Sequence, residues 1–516
     1  MNHANTLPQR ASTTTPSSAS PTNNPATSKS NTQSTSPSTS TAAATPFTQY
    51  LDAFWRAVDG DPSHLNRVSV TGTGALQSVF PVTDFATAAV SAASLAIAEL
   101  VSVISGRVPD VEVDRRLASL WFGVSLQPQG WKFPALWDAV AGDYRAADGW
   151  IRLHTNAPHH RAAALAVLRV DAERDVVARA VSQWRASELE AAIVAHGGCA
   201  AEMRSIGQWH AHPQGQAVGD ARLLDRDVHA HRDPVLMPGA TRARPLAGIR
   251  VLDLTRILAG PVATRFLAGY GADVLRIDPP GWDEAATIPD VVLGKRCARL
   301  DLKTADGVRQ LEDLLRSADV FVHGYRPDAL DRLGLSAQRR RELNPTLIDV
   351  SLDAYGWTGP WAGRRGFDSL IQMSTGVADA GMRATGGDRP VPLPVQAIDH
   401  ATGYLLAAAA VRGLTQRLTI GKPSTARGSL ARTARLLIDH AGHAHHGGSE
   451  QTGDDSRLVS SEPRIASIEA SDLSSETELT SWGPALRLRP PVTIGATPMQ
   501  WIYPARKLGS DMPIWA

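Results

Sequence analysis

Asp399 stands between the extended run Pro392-Leu393-Pro394-Val395 and a long stretch rich in Ala and Leu, which predicts a carboxylate at a helix N-terminus. Such a group either bonds the free backbone N–H groups of the first turn as a cap or, kept ionised by them, serves as a nucleophile or proton carrier. A second chemical candidate is the segment from Val251 to Pro261, a short apolar strand running through Thr255, Arg256, Ile257, Leu258 and Ala259 into a helix. Loops at the carboxyl ends of parallel strands are where open α/β sheets bind ligands. Asp278, at the end of the following strand, lies where a dinucleotide fold places its ribose-binding acid, but only Gly260 of a Gly-x-Gly-x-x-Gly fingerprint is present. Lys295, Arg296, Arg299 and Lys303 form a basic cluster suited to phosphates or to a solvated face, and Arg326 follows another strand. The loop Tyr355-Gly356-Trp357-Thr358-Gly359-Pro360-Trp361 and the Gly366-Phe367-Asp368 after it have the texture of a structured loop that either covers a ligand or simply packs. Asp439, His440, His443, His445 and His446 resemble a metal-binding tract, yet no second cluster completes it, so no metal site is expected.

These residues need elements to position them. Strands are expected at Ile249–Leu254, Asp273–Ile277, Val320–His323 and Leu347–Leu352, alternating with helices over Pro261–Tyr270, from a Thr304 cap to Ser317, and over Ala337–Leu343. That alternation predicts an α/β fold with a Rossmann-like open parallel sheet. Residues 47–233 read as a mostly helical module, 234–244 as a link, 245–440 as the sheet module and 441–516 as an irregular C-terminal segment. Residues 1–46 are nearly all Ser, Thr, Pro, Ala and Asn, the composition of an unstructured tail or of a translation start placed too early. Asp84 and Asp399 each stand in an Asp-x-Ala-Thr sequence ahead of an apolar run, an echo that suggests two related modules, with Asp84 read as a helix cap.

Composition bounds the function. The chain has 516 residues, 43% hydrophobic and 20% charged, with 52 Lys and Arg against 51 Asp and Glu. A net charge of +1 supplies no electrostatic reason to expect nucleic acid or an anionic membrane as partner. The stretch Phe85–Ala98 is uncharged but shorter than a membrane span requires, so a buried core helix is expected. Two distant cysteines, Cys199 and Cys297, exclude a disulfide framework and make the cytoplasm the default compartment.

The series Pro245 to Thr255, Ala259-Gly260-Pro261, Gly271 to Pro280, Gly294-Lys295-Arg296, Leu300 to Lys303, Arg326-Pro327, Leu333-Gly334-Leu335, Asn344 to Ile348, Gly356 to Pro360, Gly366-Phe367-Asp368, Gln372 and the Asp399 helix resembles, in order, the family III CoA-transferases of CaiB/BaiF type. The first half resembles that family more loosely, through Asp148 to His154, Gly197 to Ala200 and His212-Pro213-Gln214, as a partial tandem copy. The resemblance implies a CoA-binding domain plus a smaller α/β domain. It also implies an acyl-CoA:carboxylate CoA-transferase in which Asp399 forms an acyl anhydride and then an aspartyl-CoA thioester. Ile257, Leu258 and Ala259 would line the path of coenzyme A, Lys295, Arg296, Tyr325, Arg326 and Ala329 would surround its nucleotide, and Phe367 would belong to the substrate loop. The expected partners are an acyl-CoA donor and a carboxylate acceptor, with no tightly bound cofactor; family members form interlocked dimers, and here the choice between a homodimer and its partial replacement by the tandem halves stays open. Two alternatives accompany this reading. An acyl-CoA racemase is disfavoured because Phe367 stands where the racemase branch carries His. A non-catalytic CoA-binding paralogue is suggested by the order of the modules and by Gly324 in place of the usual Asn.

Overall fold

The computed structural model describes residues 45–516, except 231, 232, 236 and 442–461. The expected tail up to residue 44 and the His443, His445 and His446 tract lie outside the described residues. Among the described residues, sixteen strands run along the chain. The first half contains β1 (Val68–Thr71), β2 (Val111–Asp114), β3 (Leu126–Pro128), β4 (Gly142–Arg145), β5 (Trp150–Leu153), β6 (Ala200–Glu202) and β7 (Leu224–Val228). The second half contains β8 (Arg250–Leu254), β9 (Asp273–Asp278), β10 (Lys295–Arg299), β11 (Val320–His323), β12 (Ile348–Asp353) and β13 (Ser424–Ser429), then β14 (Leu473–Thr480), β15 (Gly483–Leu488) and β16 (Val492–Ile494).

The central sheet has seven strands in the order β10-β9-β8-β11-β12-β13-β7, all parallel except the antiparallel edge strand β7. Both faces of the sheet are covered, so even the charged residues on its central strands, such as Asp253 and Arg276, are buried. Val251, Val274, Val320 and Val322 enter the core with the Ala259–Gly269 and Ala397–Ile420 helices. Leu252, Leu275 and Phe321, on the alternate positions, pack with Leu311, Leu314 and Leu315 of the Ala305–Arg316 helix on the other face. Thr304 caps that helix, its hydroxyl accepting from Gly307 N, as its sequence predicts.

Two findings revise the expected organisation. First, β7 comes from the first half and closes the edge of the sheet, so the 234–244 link joins two stretches of one folded unit. Second, residues beyond 441 are not simply irregular. β14 and β15 form a hairpin that adds β3, and β16 pairs with β2, which in turn pairs with β1. Leu473–Thr480 (LSSETELT) is polar and largely solvent-facing, so it shows little of the apolar alternation that betrays a strand. A smaller antiparallel sheet, β4-β5-β6, carries the Pro158–Leu168, Arg174–Val181 and Ala186–Ala195 helices on its own core.

The apolar stretch around Phe85 also runs further than expected. The Val82–Ser105 helix has 24 residues, long and apolar enough to cross a membrane by length and composition. It packs against Ala397–Ile420, and 78% of its most apolar window is buried within the protein. The Ala397–Ile420 helix meets Ala259–Gly269 at Gly403, where an added Cβ would lie 2.4 Å from Ala259 O. This close approach needs glycine, and it brings the Ile257–Ala259 turn alongside the first turn of the helix that bears Asp399.

Candidate active site

A cavity of about 440 Å³ opens at the carboxyl ends of the central strands. Asp399 forms part of its wall, with Leu254, Gly324 and Asp353 contributed by the strand ends. From the smaller sheet's side come His159 and His160.

Asp399 lies in the first turn of its helix but is not the cap; Gln396 holds that position. Its side chain is buried, and its backbone N–H donates to Asp368 Oδ2 at 2.8 Å. Gln372 Nε2 donates to Asp368 Oδ1 at 2.5 Å, and Gln372 Oε1 in turn accepts from Leu393 N. Asp368 is thus held by donors on both oxygens. Burial, and then the neighbouring Asp368 carboxylate, raise Asp399 well above the usual carboxylate range; burial lifts Asp368 to about 6 against the pull of its donors. The Asp368 carboxylate thus adds to burial in disfavouring ionisation of Asp399. Asp399, when ionised, is a poorly hydrated carboxylate facing a cavity, which suits attack on an electrophilic carbonyl.

The Arg256–Ala259 turn is locked in an uncommon shape. Ile257 has φ +63°, a left-handed conformation that a β-branched residue rarely adopts. Its N–H donates to Glu284 Oε2 at 3.0 Å, and that carboxylate also accepts from Arg276 Nη2 and Trp282 Nε1. Arg256 lies 4.6 Å over the Trp282 ring and reaches Tyr325 Oη at 3.4 Å, placing a cation on the cavity wall.

At the other side Phe367 stacks on His154, centroids 3.7 Å apart and planes 2° from parallel. His160 Nε2 lies 3.5 Å from Cys199 Sγ. Burial pulls His154 down to about 3 and His160 to about 4, so both rings are neutral near pH 7, and burial pushes the Cys199 thiol up to about 12. Arg364 pairs with Glu190 at 2.9 Å and stacks on Trp361, which ties the loop carrying Phe367 to the smaller sheet's helices.

Of the residues expected at the site, Asp399, Ile257, Leu258, Ala259, Tyr325, Arg326, Ala329 and Phe367 all line this cavity. Lys295 and Arg296 do not. Lys295 Nζ is fully buried and donates to Asp253 Oδ2 (3.0 Å), Thr264 Oγ1 (2.6 Å) and Pro261 O (2.9 Å), which uses all three of its protons. It braces the start of the Ala259–Gly269 helix from behind. Arg296 forks onto Asp273 (2.9 Å) and donates to Ile514 O. Asp278 is likewise spent on Arg276, buried beside it at 2.8 Å. Asp84 pairs with Arg115 at 3.1 Å and does not line the cavity. Trp357 donates to Gly428 O, and Trp361 packs against Trp209 and His212, so both tryptophans pack and do not cover the cavity. Sequence reasoning named Arg256 only within the candidate Val251–Pro261 segment and gave no role to Asp353, to His160 or to the partnership of Asp368 with Asp399. Asp353 and Arg256 carried a signal, since both sit at carboxyl ends of strands. Among the described residues, no group of three or more His, Cys, Asp or Glu side chains is placed to hold a metal ion.

Residues 246–468 match CoA-transferase family III. The probable fatty acyl-CoA transferase Rv3272 of Mycobacterium tuberculosis is 35% identical over 195 residues, covering 35% of this chain and 49% of that protein. The succinyl-CoA:glutarate CoA-transferase of Mus musculus is 36% identical over 195 residues, covering 35% of this chain and 44% of that one. A crystal structure of a CAIB/BAIF family protein from Brucella suis aligns with 47% of this chain and 65% of its own, at 27% identity and a TM-score of 0.36. The chain thus spans about half the length of the curated relatives it matches.

Proposed function

We propose, from the match of residues 246–468 to CoA-transferase family III, that this protein moves coenzyme A from an acyl-CoA donor to a carboxylate acceptor through Asp399. An Asp399 oxygen attacks the thioester carbonyl carbon, the C–S bond breaks, and CoA leaves as thiolate, forming an acyl-aspartyl anhydride. The thiolate attacks the aspartyl carbonyl and expels the donor's carboxylate, leaving an aspartyl-CoA thioester. The acceptor carboxylate attacks that thioester and again releases the thiolate. The thiolate then takes the acceptor's acyl group and frees Asp399. Each step exchanges one activated acyl group for another, so no external oxidant or net proton is needed.

The observation that carries this reading is the placement of one buried carboxylate on the wall of a cavity at the strand ends, among the turn and strand-end residues that the family resemblance assigns to coenzyme A. Asp399 is only 7% exposed, which limits the access of water to both intermediates. Asp368, accepting the Asp399 N–H, is a positioning residue that orients the nucleophile's backbone. His159 and His160 of the first half and Tyr325 of the second line the same cavity, so this reading needs no second copy of the chain to complete the site.

The test is CoA exchange, monitored by mass spectrometry, between a panel of acyl-CoA donors and mono- and dicarboxylate acceptors. The parent should form new acyl-CoA from at least one pair and Asp399→Asn should form none. Equal turnover by the variant would refute the reading.

A further inference from the structure

Asp353 is a carboxylate that the transfer chemistry does not use. It ends β12, where the parallel registers continue past Ser351 on β12 opposite His323 on β11, and it pairs with Ser429 at the end of β13. It therefore sits at the carboxyl edge of the sheet beside the segment that carries Tyr325 and Arg326, and it lines the cavity. One oxygen is committed, since Gly356 N donates to Oδ1 at 2.7 Å. The other, Oδ2, is buried with no hydrogen-bond partner. An unsatisfied buried carboxylate oxygen is costly and is seldom left idle. Asp278, which stands where a dinucleotide fold places its ribose-binding acid, is fully engaged with Arg276 and cannot substitute.

Resting on the coenzyme A reading above, we propose that Asp353 is a coenzyme-binding residue whose free Oδ2 accepts a hydrogen bond from a neutral O–H or N–H donor of coenzyme A. Coenzyme A carries such donors on both halves, as hydroxyl and amide groups of the pantetheine arm and as ribose hydroxyl and adenine amino groups. The surroundings favour a neutral donor over a cation. The charge that acts on Asp353 is Arg427 on β13, already paired with Asp225, and Arg256, Arg326, Arg364 and Arg365 line the same cavity. The other acids and bases facing the cavity are Asp399, coupled to Asp368, Tyr325 and the neutral His159 and His160. Burial raises Asp353 to about 7, against the Gly356 N–H and Arg427. A donor on Oδ2 favours the ionised form, so coenzyme binding should release a proton from the fraction of Asp353 that was protonated.

Calorimetric titration of the full chain with coenzyme A at pH 7, in buffers of different ionisation enthalpy, measures both affinity and protons released. The parent should release about half a proton more than Asp353→Asn, and the variant should bind about tenfold more weakly, the loss expected for one charge-assisted hydrogen bond. Asp353→Ser serves the same comparison should the Asn variant not fold. Pantetheine and adenosine 3′,5′-bisphosphate, titrated separately, locate the donor: the fragment whose affinity falls in the variant carries it. Equal affinity and equal proton release in parent and both variants would overturn the proposal for Asp353 while leaving coenzyme binding intact. A parent that does not bind coenzyme A would overturn the functional reading itself, and this inference with it.

Discussion

Replacing Lys295 by Met separates a structural cation from a phosphate ligand. Lys295 Nζ, fully buried, holds Asp253 at 3.0 Å, Thr264 at 2.6 Å and Pro261 O at 2.9 Å. Met fills similar volume but strands the equally buried Asp253, leaving it only the Thr255 and Thr264 hydroxyls and the Thr255 N–H. Removing one partner of a buried pair costs about 3–5 kcal/mol. For a cooperative unit this large, extrapolated size scaling makes that a fall of roughly 5 °C in Tm. The sign of the pH dependence follows from Asp253. Its carboxyl is held below the usual range, with Lys295 the largest stabilising influence against burial. Its contribution is therefore present above the unfolded-state pKa and lost as pH falls through the folded one. Without Lys295, burial raises Asp253, so the Met variant's deficit should be largest at neutral pH and shrink toward pH 4. The double variant Lys295→Met/Asp253→Asn should recover much of the loss. Thermal unfolding followed by circular dichroism from pH 4 to 8 reads all three proteins. An unchanged Tm in Lys295→Met, combined with a raised KM for acyl-CoA, would refute this reasoning and return Lys295 to the nucleotide.

Two further perturbations probe the frame around Asp399. Gly403→Ala would drive a Cβ to within 2.4 Å of Ala259 O and 2.9 Å of Val262 Cβ; the two helices must part, and stability should fall by about 1–3 kcal/mol, with kcat dropping at least tenfold as the Ile257–Ala259 turn moves from Asp399. Denaturant titration and the exchange assay check both numbers, and an alanine variant indistinguishable from the parent would contradict the close packing. Asp399→Asn should gain stability relative to the parent as pH rises from 4 to 7. Both members of the Asp368–Asp399 pair are raised in the folded state, so the parent's advantage is complete at low pH and is lost as pH climbs through their folded pKa values. A Tm difference that does not change with pH would show that burial and Asp368 do not raise Asp399.

How far the sequence carries depends on what each residue needs to be understood. The buried strands Arg250–Leu254, Asp273–Asp278, Val320–His323 and Ile348–Asp353 are legible because each is a short segment built around Val, Leu, Ile or Phe between helical stretches, although Asp253, Arg276 and Asp349 interrupt them. Asp399 is legible from its place before an apolar helix, and the turn from Ile257 to Ala259 from its place after a strand. Lys295 and Arg296 mislead because four cations within nine residues look like a patch, whereas a strand sends successive side chains to opposite faces. Their partners, Asp253 and Asp273, lie too far away in sequence to be paired by eye. β7 is polar (Leu-Asp-Arg-Asp-Val), and nothing local announces that it will close a sheet formed by the other half. The orphan oxygen of Asp353 and the Asp368–Asp399 contact are properties of three-dimensional packing alone.

The central claim is that Asp399 carries the acyl group and then coenzyme A. Mixing the protein with acyl-CoA, trapping with hydroxylamine or borohydride and sequencing the peptides by mass spectrometry tests it directly. The account predicts a hydroxamate, or the corresponding reduced side chain, at residue 399 and at no other acid, absent when acyl-CoA is omitted. Modification at another carboxylate, or none during active CoA exchange, would contradict it.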